Sequence, residues 1–130
     1  MNSKELFVRD TTVIKQSDNL YTAEVSENWS IGNTANGGYS MTLAARVMSE
    51  FLEHKDPLSI SAHYLDRVDF GSTEFHVTHL SSSKSLSTAR VELIQDNKIK
   101  IIFIGTFTDF SFKNDMNIYE RDVPNFPEYN

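Results

Sequence analysis

The chain contains no cysteine, which excludes disulfides, thiolate metal sites and cysteine nucleophiles together. It has no long apolar run either. A membrane-spanning helix needs ~20 apolar residues, and the longest run here, "IIFIGTF" from Ile101 to Phe107, is strand-sized. The opening "MNSKELFVRD" holds no apolar stretch of secretory length. These absences read as a cytoplasmic protein that makes no membrane contact, and they leave the sequon-like Asn28-Trp29-Ser30 without a glycosylation route. Positive charge is scarce as well: 12 basic against 18 acidic residues give a formal net charge of −6. A general nucleic-acid binder needs a basic face for the phosphates, so that class drops out. A small anionic ligand stays open, because a local basic cluster can oppose the net charge.

What remains is a chain of 130 residues, 39% hydrophobic and 12% aromatic, long enough to bury one core but not two. "TTVIKQ" and "LYTAEVS" flank the polar turn Ser17-Asp18-Asn19, with Tyr21, Ala23 and Val25 on one face, and predict a hairpin. A helix is predicted from about Gly37 to about His54, ~27 Å long. Its apolar positions Met41, Ala44, Ala45, Met48, Phe51 and Leu52 recur at three- and four-residue spacing. Asn36 suits the N-cap, His54 and Lys55 suit the C-terminal end of the dipole, and Pro57 the stop.

Four alternating segments follow. "LSISAHYLDRV" places Leu58, Ile60, Ala62 and Tyr64 on one face, and "TEFHVTHL" does the same with Phe75 and Val77. "LSTARVELIQ" turns Ala89, Val91 and Leu93 inward with Arg90 and Glu92 outward, and "KIKIIFIGTF" presents Ile99, Ile101, Phe103 and Phe107. Asp96-Asn97 between the last two tolerate positive φ and predict a tight hairpin. Two strands, one long helix and four strands are satisfied by an antiparallel sheet curling around the helix, an α+β fold. On the last strand Ile102 and Ile104 oppose Ile101 and Phe103. Both faces are therefore apolar, and the outer one wants a cover. Residues 109–130 read as a linker or tail behind a domain of residues 1–108.

Two adjacent glycines, Gly37 and Gly38, stand where the helix should begin. One reading is backbone packing or a positive φ. The other is function: missing side chains let a ligand oxygen reach the first amides of the helix, which lack intrahelical partners and carry the positive end of the dipole. A thioester carbonyl gathering negative charge would be stabilised there.

Gly37-Gly38-Tyr39 at the helix start, the continuation "DPLSISAHYLDRVDFGSTEFHVTHL" and then "SLSTARVELIQDNK" together resemble the N-terminal half of the TesB-like (thioesterase II) acyl-CoA thioesterases, in register from about Asn28 to Thr108. The resemblance implies a hotdog fold, a sheet wrapped around one central helix, and hydrolysis of an acyl-CoA thioester. It implies a second hotdog, in one chain or as a homodimer, with the acyl-CoA substrate at the seam, and it implies no cofactor. This chain then looks like a first half, ending where the linker between the two would lie. Asn36, Gly37, Gly38 and Tyr39 are the substrate-binding candidates, with His63 in the following strand as a further contact.

The chain departs from the family pattern in three places. Ser81-Ser82-Ser83 stands where an Arg, an acidic residue and Gly are usual, and Asp66-Arg67 where Arg-Pro is usual. The family's catalytic Asp, with its Thr or Ser and Gln partners, belongs to the second hotdog. Its counterpart here falls near Ile60, between Ser59 and Ser61, so no catalytic acid or base carries over. A non-catalytic acyl-binding or scaffolding half, and a hotdog hydratase or dehydratase, remain alternatives.

Other chemistry is thinner. Glu50 lies ~18 Å along the axis from Gly38, too far to share its ligand. Asp66 and Asp69 sit near a strand end, as solvated acids or reaching across a seam. His76 and His79 differ by three positions in a strand and point to opposite faces, so no metal site is expected. Trp29 suits a ligand channel or the core; Lys84, Lys98 and Lys100 suit CoA phosphates or a solvated face. Gln95 suits support of the adjoining hairpin.

Overall fold

Antiparallel pairing accounts for almost all of the strand residues. In the computed structural model, which describes residues 1–112 and 122–128, the order is α1 (Ser3–Asp10), β1 (Ile14–Ser17), β2 (Leu20–Val25), a 3-10 turn (Glu27–Trp29), β3 (Ser30–Ile31), β4 (Thr34–Ala35), α2 (Gly37–Phe51), β5 (Asp56–Tyr64), β6 (Gly71–Ser82), β7 (Ser87–Gln95) and β8 (Lys98–Thr108). Six of these strands form one sheet in the order β1-β2-β6-β7-β8-β5, each neighbour antiparallel. β3 and β4 form a separate two-stranded ribbon just before α2. The expected two strands, helix and four strands are therefore present, with β5 at one edge.

The core lies between α2 and the inner face of the sheet. Tyr21, Ala23, Val25, Phe75, Val77, Ala89, Val91, Leu93, Ile101, Phe103 and Phe107 are buried, as alternation predicts for these strands. Burying side chains of this size stabilises by roughly 1.5–3 kcal/mol each, against the cost of ordering the chain. Asp96 and Asn97, at φ 51° and 59°, make the β7–β8 hairpin, the positive-φ pair that a tight turn of this hand requires.

Four features differ from the sequence expectation. α1 was not anticipated, although Asn2 and Glu5 form a reciprocal capping box: Asn2 Oδ1 accepts from Glu5 N–H at 2.9 Å, and Glu5 Oε2 accepts from Asn2 N–H at 3.0 Å. α2 ends at Phe51, not His54, which shortens it to about 22 Å. Leu52 is already extended, Lys55 Nζ donates to the Leu52 carbonyl, and Leu52 and His54 turn into the core. His54 is held there by Ser87 Oγ and the Lys84 carbonyl, each at 2.9 Å. Pro57 thus lies within β5 and does not end the helix. The buried stripe of α2 runs through Tyr39, Ser40, Leu43, Ala44, Val47 and Met48; Met41 and Ala45 flank it. In β8 a register shift opposite Leu93–Ile94 makes Lys100 the extra residue. Lys100 is buried and Ile99 is turned out, 37% exposed, the re-aiming expected of a bulge.

Of the linker or tail expected over residues 109–130, residues 113–121 and 129–130 lie outside the described residues. Among the described residues no helix is long and apolar enough to cross a membrane.

Candidate functional site

The start of α2 is built by the β3–β4 ribbon and closed by its cap. Asn36 N–H donates to the Trp29 carbonyl at 2.8 Å and Ala35 N–H to the Val68 carbonyl at 3.0 Å, which fixes where the helix begins. Asn36 Oδ1 then accepts from Gly38 N–H at 2.8 Å and from Tyr39 N–H at 3.4 Å. The N-cap expectation holds, and it changes which amide is available. Gly38 N–H is engaged by its own cap, whereas Gly37 N–H has no acceptor in the chain among the described residues.

The glycine pair separates two cavities. Gly38 borders one of about 350 Å³, enclosed with Phe7, Asn28, Trp29, Tyr39 and Thr42. Gly37 borders the other, about 290 Å³, with Ser40, Tyr64, Leu65, Asp66 and Ile101 among its walls. The first is braced by a buried carboxylate: Asp10 accepts from Arg9 Nε and Asn28 Nδ2 at 3.0 Å each and from Trp29 Nε1 at 3.1 Å. Burial pushes the Asp10 carboxyl up, and these donors together hold it below the usual carboxylate range. Phe7 meets Trp29 edge to face, ring centroids 5.0 Å apart, so this cavity is where α1 is fastened to the domain.

The second cavity opens at the end of edge strand β5. Tyr64 Oη donates to the Gly37 carbonyl at 3.1 Å. A charged loop forms the rim. Asp66 Oδ1 accepts from Arg67 N–H at 2.8 Å, and its Oδ2 lies 2.6 Å from Lys98 Nζ and 3.6 Å from Lys100 Nζ. The Lys98 hydrogen bond, with help from Arg67 N–H and Lys100, draws the Asp66 carboxyl down to about 2. Gln95 ties the same loop: its Oε1 accepts from Asp69 N–H at 2.9 Å, and its Nε2 donates to the Asp69 carbonyl and to Thr73 Oγ1 at 2.8 Å each. The support expected of Gln95 thus goes to the β5–β6 loop and to β6.

The structure brings Asn36, Gly37, Gly38 and Tyr39 together at the helix start, in different roles. The Tyr39 ring points into the core, its hydroxyl donating to the Asp10 carbonyl at 2.7 Å and accepting from Ser26 N–H at 3.1 Å. Burial raises its phenol above the ordinary value. His63 is not brought to this point; it is exposed, on the face of β5 opposite Tyr64 and abreast of Ile102. Tyr64 and Ser40 were not singled out. Ser40 lies four positions after the cap, but the stripe expected from the sequence began at Met41, so its burial came only with the structure. Tyr64 carried no mark beyond its place in the alternation. Among the described residues no cluster of three or more His, Cys, Asp or Glu is arranged to hold a metal ion.

The family model for the acyl-CoA thioesterase N-terminal domain matches residues 25–109. The chain belongs to that family. No curated protein matches the sequence significantly. Among solved structures, the chain is similar to the tesB protein of Mycobacterium avium subspecies paratuberculosis, at 19% identity and TM-score 0.78, covering 98% of this chain and 49% of that one. It is also similar to a conserved protein with a hot dog fold from Alicyclobacillus acidocaldarius, at 14% identity and TM-score 0.79, covering 95% and 46%. A third neighbour, a Streptococcus mutans UA159 protein bound to acetyl CoA, is 18% identical with TM-score 0.66, covering 75% of this chain and 87% of that one. The fold is therefore a hotdog. The chain spans about half the length of the first two of these structures.

Proposed function

We propose that this chain is the substrate-binding hotdog half of an acyl-CoA thioesterase, with its thioester carbonyl received at Gly37 and the water-activating base supplied by a second hotdog. The observation that carries the reading is the first amide of α2, which has no acceptor among the described residues and belongs to a residue that borders the 290 Å³ cavity beside β5. That amide sits at the positive end of a 15-residue helix, where developing negative charge on a carbonyl oxygen is favoured. Water attack on the thioester carbon needs a proton acceptor of suitable basicity. The carboxylate in the cavity wall, Asp66, is unsuited. Both oxygens are occupied, and two lysines hold it ionised as a weak base.

A second hotdog has a place to dock. β5 is an edge strand of nine residues, and an unpaired edge offers backbone donors and acceptors to another strand. Ile104, 43% exposed on the outer face of the neighbouring strand, adds apolar surface beside it. The occupant that brings the base is a second half of the same architecture; a second copy of this chain would cover the edge without supplying one.

The test uses butyryl-CoA with the chain alone. Calorimetry should register binding, and sedimentation at micromolar concentration should register a dimer. Released CoA can be followed with a thiol reagent, since the cysteine-free protein contributes no background. Binding with little or no release is the expected result. Absence of binding overturns the proposal, and rapid release by the chain alone overturns the assignment of the base to another hotdog.

A further inference from the structure

Gln95, at the end of β7, is buried, and its oxygen and both amide hydrogens have partners. The side-chain amide pairs with Asp69 as one strand pairs with another: Oε1 accepts from Asp69 N–H at 2.9 Å, and Nε2 donates to the Asp69 carbonyl at 2.8 Å. The second Nε2 hydrogen goes to Thr73 Oγ1, also buried, at 2.8 Å. Three such bonds exceed what the adjoining hairpin requires, because Asp96 and Asn97 already supply its positive φ values.

Their consequence lies on the far side of the peptide they hold. Asp69 N–H and the Val68 carbonyl belong to one planar unit, so fixing the first sets the direction of the second. The Val68 carbonyl accepts from Ala35 N–H and from Thr34 Oγ1, at 3.0 Å each. Thr34 and Ala35 are the two residues of β4, and Asn36 and Gly37 follow directly. Thr34, Ala35, Gly37 and Val68 all border the same cavity. One rigid peptide with hydrogen bonds at both ends therefore connects Gln95 to the residue before the helix cap, and bonds in such a series reinforce one another. Resting on the reading that Gly37 N–H receives the thioester oxygen, we propose that Gln95 is a positioning residue for that amide. It acts without touching substrate, by holding the Val68–Asp69 peptide so that β4 brings the helix start into place beside the cavity.

The experiment measures butyryl-CoA affinity by calorimetry, melting temperature, and the amide resonances of Ala35 and Gly37 in the free protein, all on the full chain. Calorimetry and spectroscopy are run at a temperature where every variant is folded. Gln95→Met, similar in length without the amide, should melt lower, shift both resonances and weaken binding roughly three- to thirty-fold, as a residue coupled to a site from outside it does. Thr73→Val removes one Gln95 partner but leaves Asp69 N–H engaged. It should also melt lower, yet keep both resonances in place and stay within about twofold of native affinity. Gln95→Glu retains an acceptor for Asp69 N–H and loses both donor bonds; it should recover most of the affinity lost in Gln95→Met while remaining less stable than native protein, and it covers the case in which the methionine variant folds poorly. Unshifted resonances or native affinity in Gln95→Met, or an equal loss of affinity in Thr73→Val, overturns the positioning role and leaves the proposed function in place. Failure of native protein to bind butyryl-CoA overturns both.

Discussion

Tyr64 Oη donates to the Gly37 carbonyl at 3.1 Å, and its ring occupies the space into which a Gly37 side chain would project. A Cβ built on Gly37 would lie 3.2 Å from Tyr64 Cε1, Cζ and Oη. The last residue of the edge strand and the first residue of the helix are thus fitted to one another. The glycine is explained by that contact, and its amide has no acceptor among the described residues.

This fit predicts energetic coupling. Gly37→Ala should gain up to ~1 kcal/mol of helix propensity and lose part of it by displacing Tyr64, leaving stability little changed. In a Tyr64→Ala background the same substitution should be openly stabilising. A double-mutant cycle from urea unfolding should therefore return a coupling of about 0.5 kcal/mol or more, as residues in contact do; strict additivity would show that the two do not constrain each other.

The second glycine answers to the cap. A Cβ on Gly38 would lie 3.2 Å from Asn36 Oδ1, the atom that accepts from Gly38 N–H. Asn36→Ala should cost about 1 kcal/mol by releasing those amides. Gly38→Ala should leave the melting temperature near native, its propensity gain offset by the tight approach to the cap. Because Gly38 borders the other cavity, Gly38→Ala should also perturb acyl-CoA affinity less than Gly37→Ala. The reverse order would move the ligand to the α1 side of the helix.

Gly105 makes room for the helix from the sheet side. A Cβ there would fall 2.6 Å from Met48 Sδ and 2.9 Å from its Cε, and Met48 is fully buried. Gly105→Ala should destabilise by roughly 1–3 kcal/mol through overpacking. Combining it with Met48→Ala should cost less than the sum of the two single changes. Simple addition of the costs in chemical denaturation would refute the contact.

Asp66 supplies a pH-dependent contribution of definite sign. Its carboxyl is drawn from 3.8 to about 2 in the folded protein, so the folded state binds protons less readily than the unfolded one. The associated stability is present above pH ~3.8 and is lost as pH falls through about 2. Asp66→Asn should melt below native protein at pH 6, and the difference should narrow on titrating down through that window. A difference independent of pH would assign the effect to packing of the loop instead.

Much of the fold was legible in local pattern. Alternation in β2, β6 and β7 identified the buried faces because a strand repeats every two residues. Asp96-Asn97 identified a hairpin because few residue pairs accept positive φ at both positions. Asn36 identified the helix start because a side-chain oxygen there meets amides that the helix cannot satisfy. The order of these signals also carried the family. Each depends on residues within a few positions of one another, where covalent geometry alone decides what can touch.

Contacts across long stretches of chain were decided elsewhere. The end of α2 was set by Leu52 and His54 finding places in the core, the latter against Ser87. The inward turn of Lys100 followed from a bulge against β7, and α1 is secured by Asp10 meeting Asn28 and Trp29. The site depends on the same kind of contact. Which glycine amide is open, and which strand residue faces it, depended on the cap turning onto Gly38 and on β5 delivering Tyr64 rather than His63 to Gly37. Strand period reports that two neighbours face opposite ways, but only packing of the sheet against the helix chooses which of them meets the helix start.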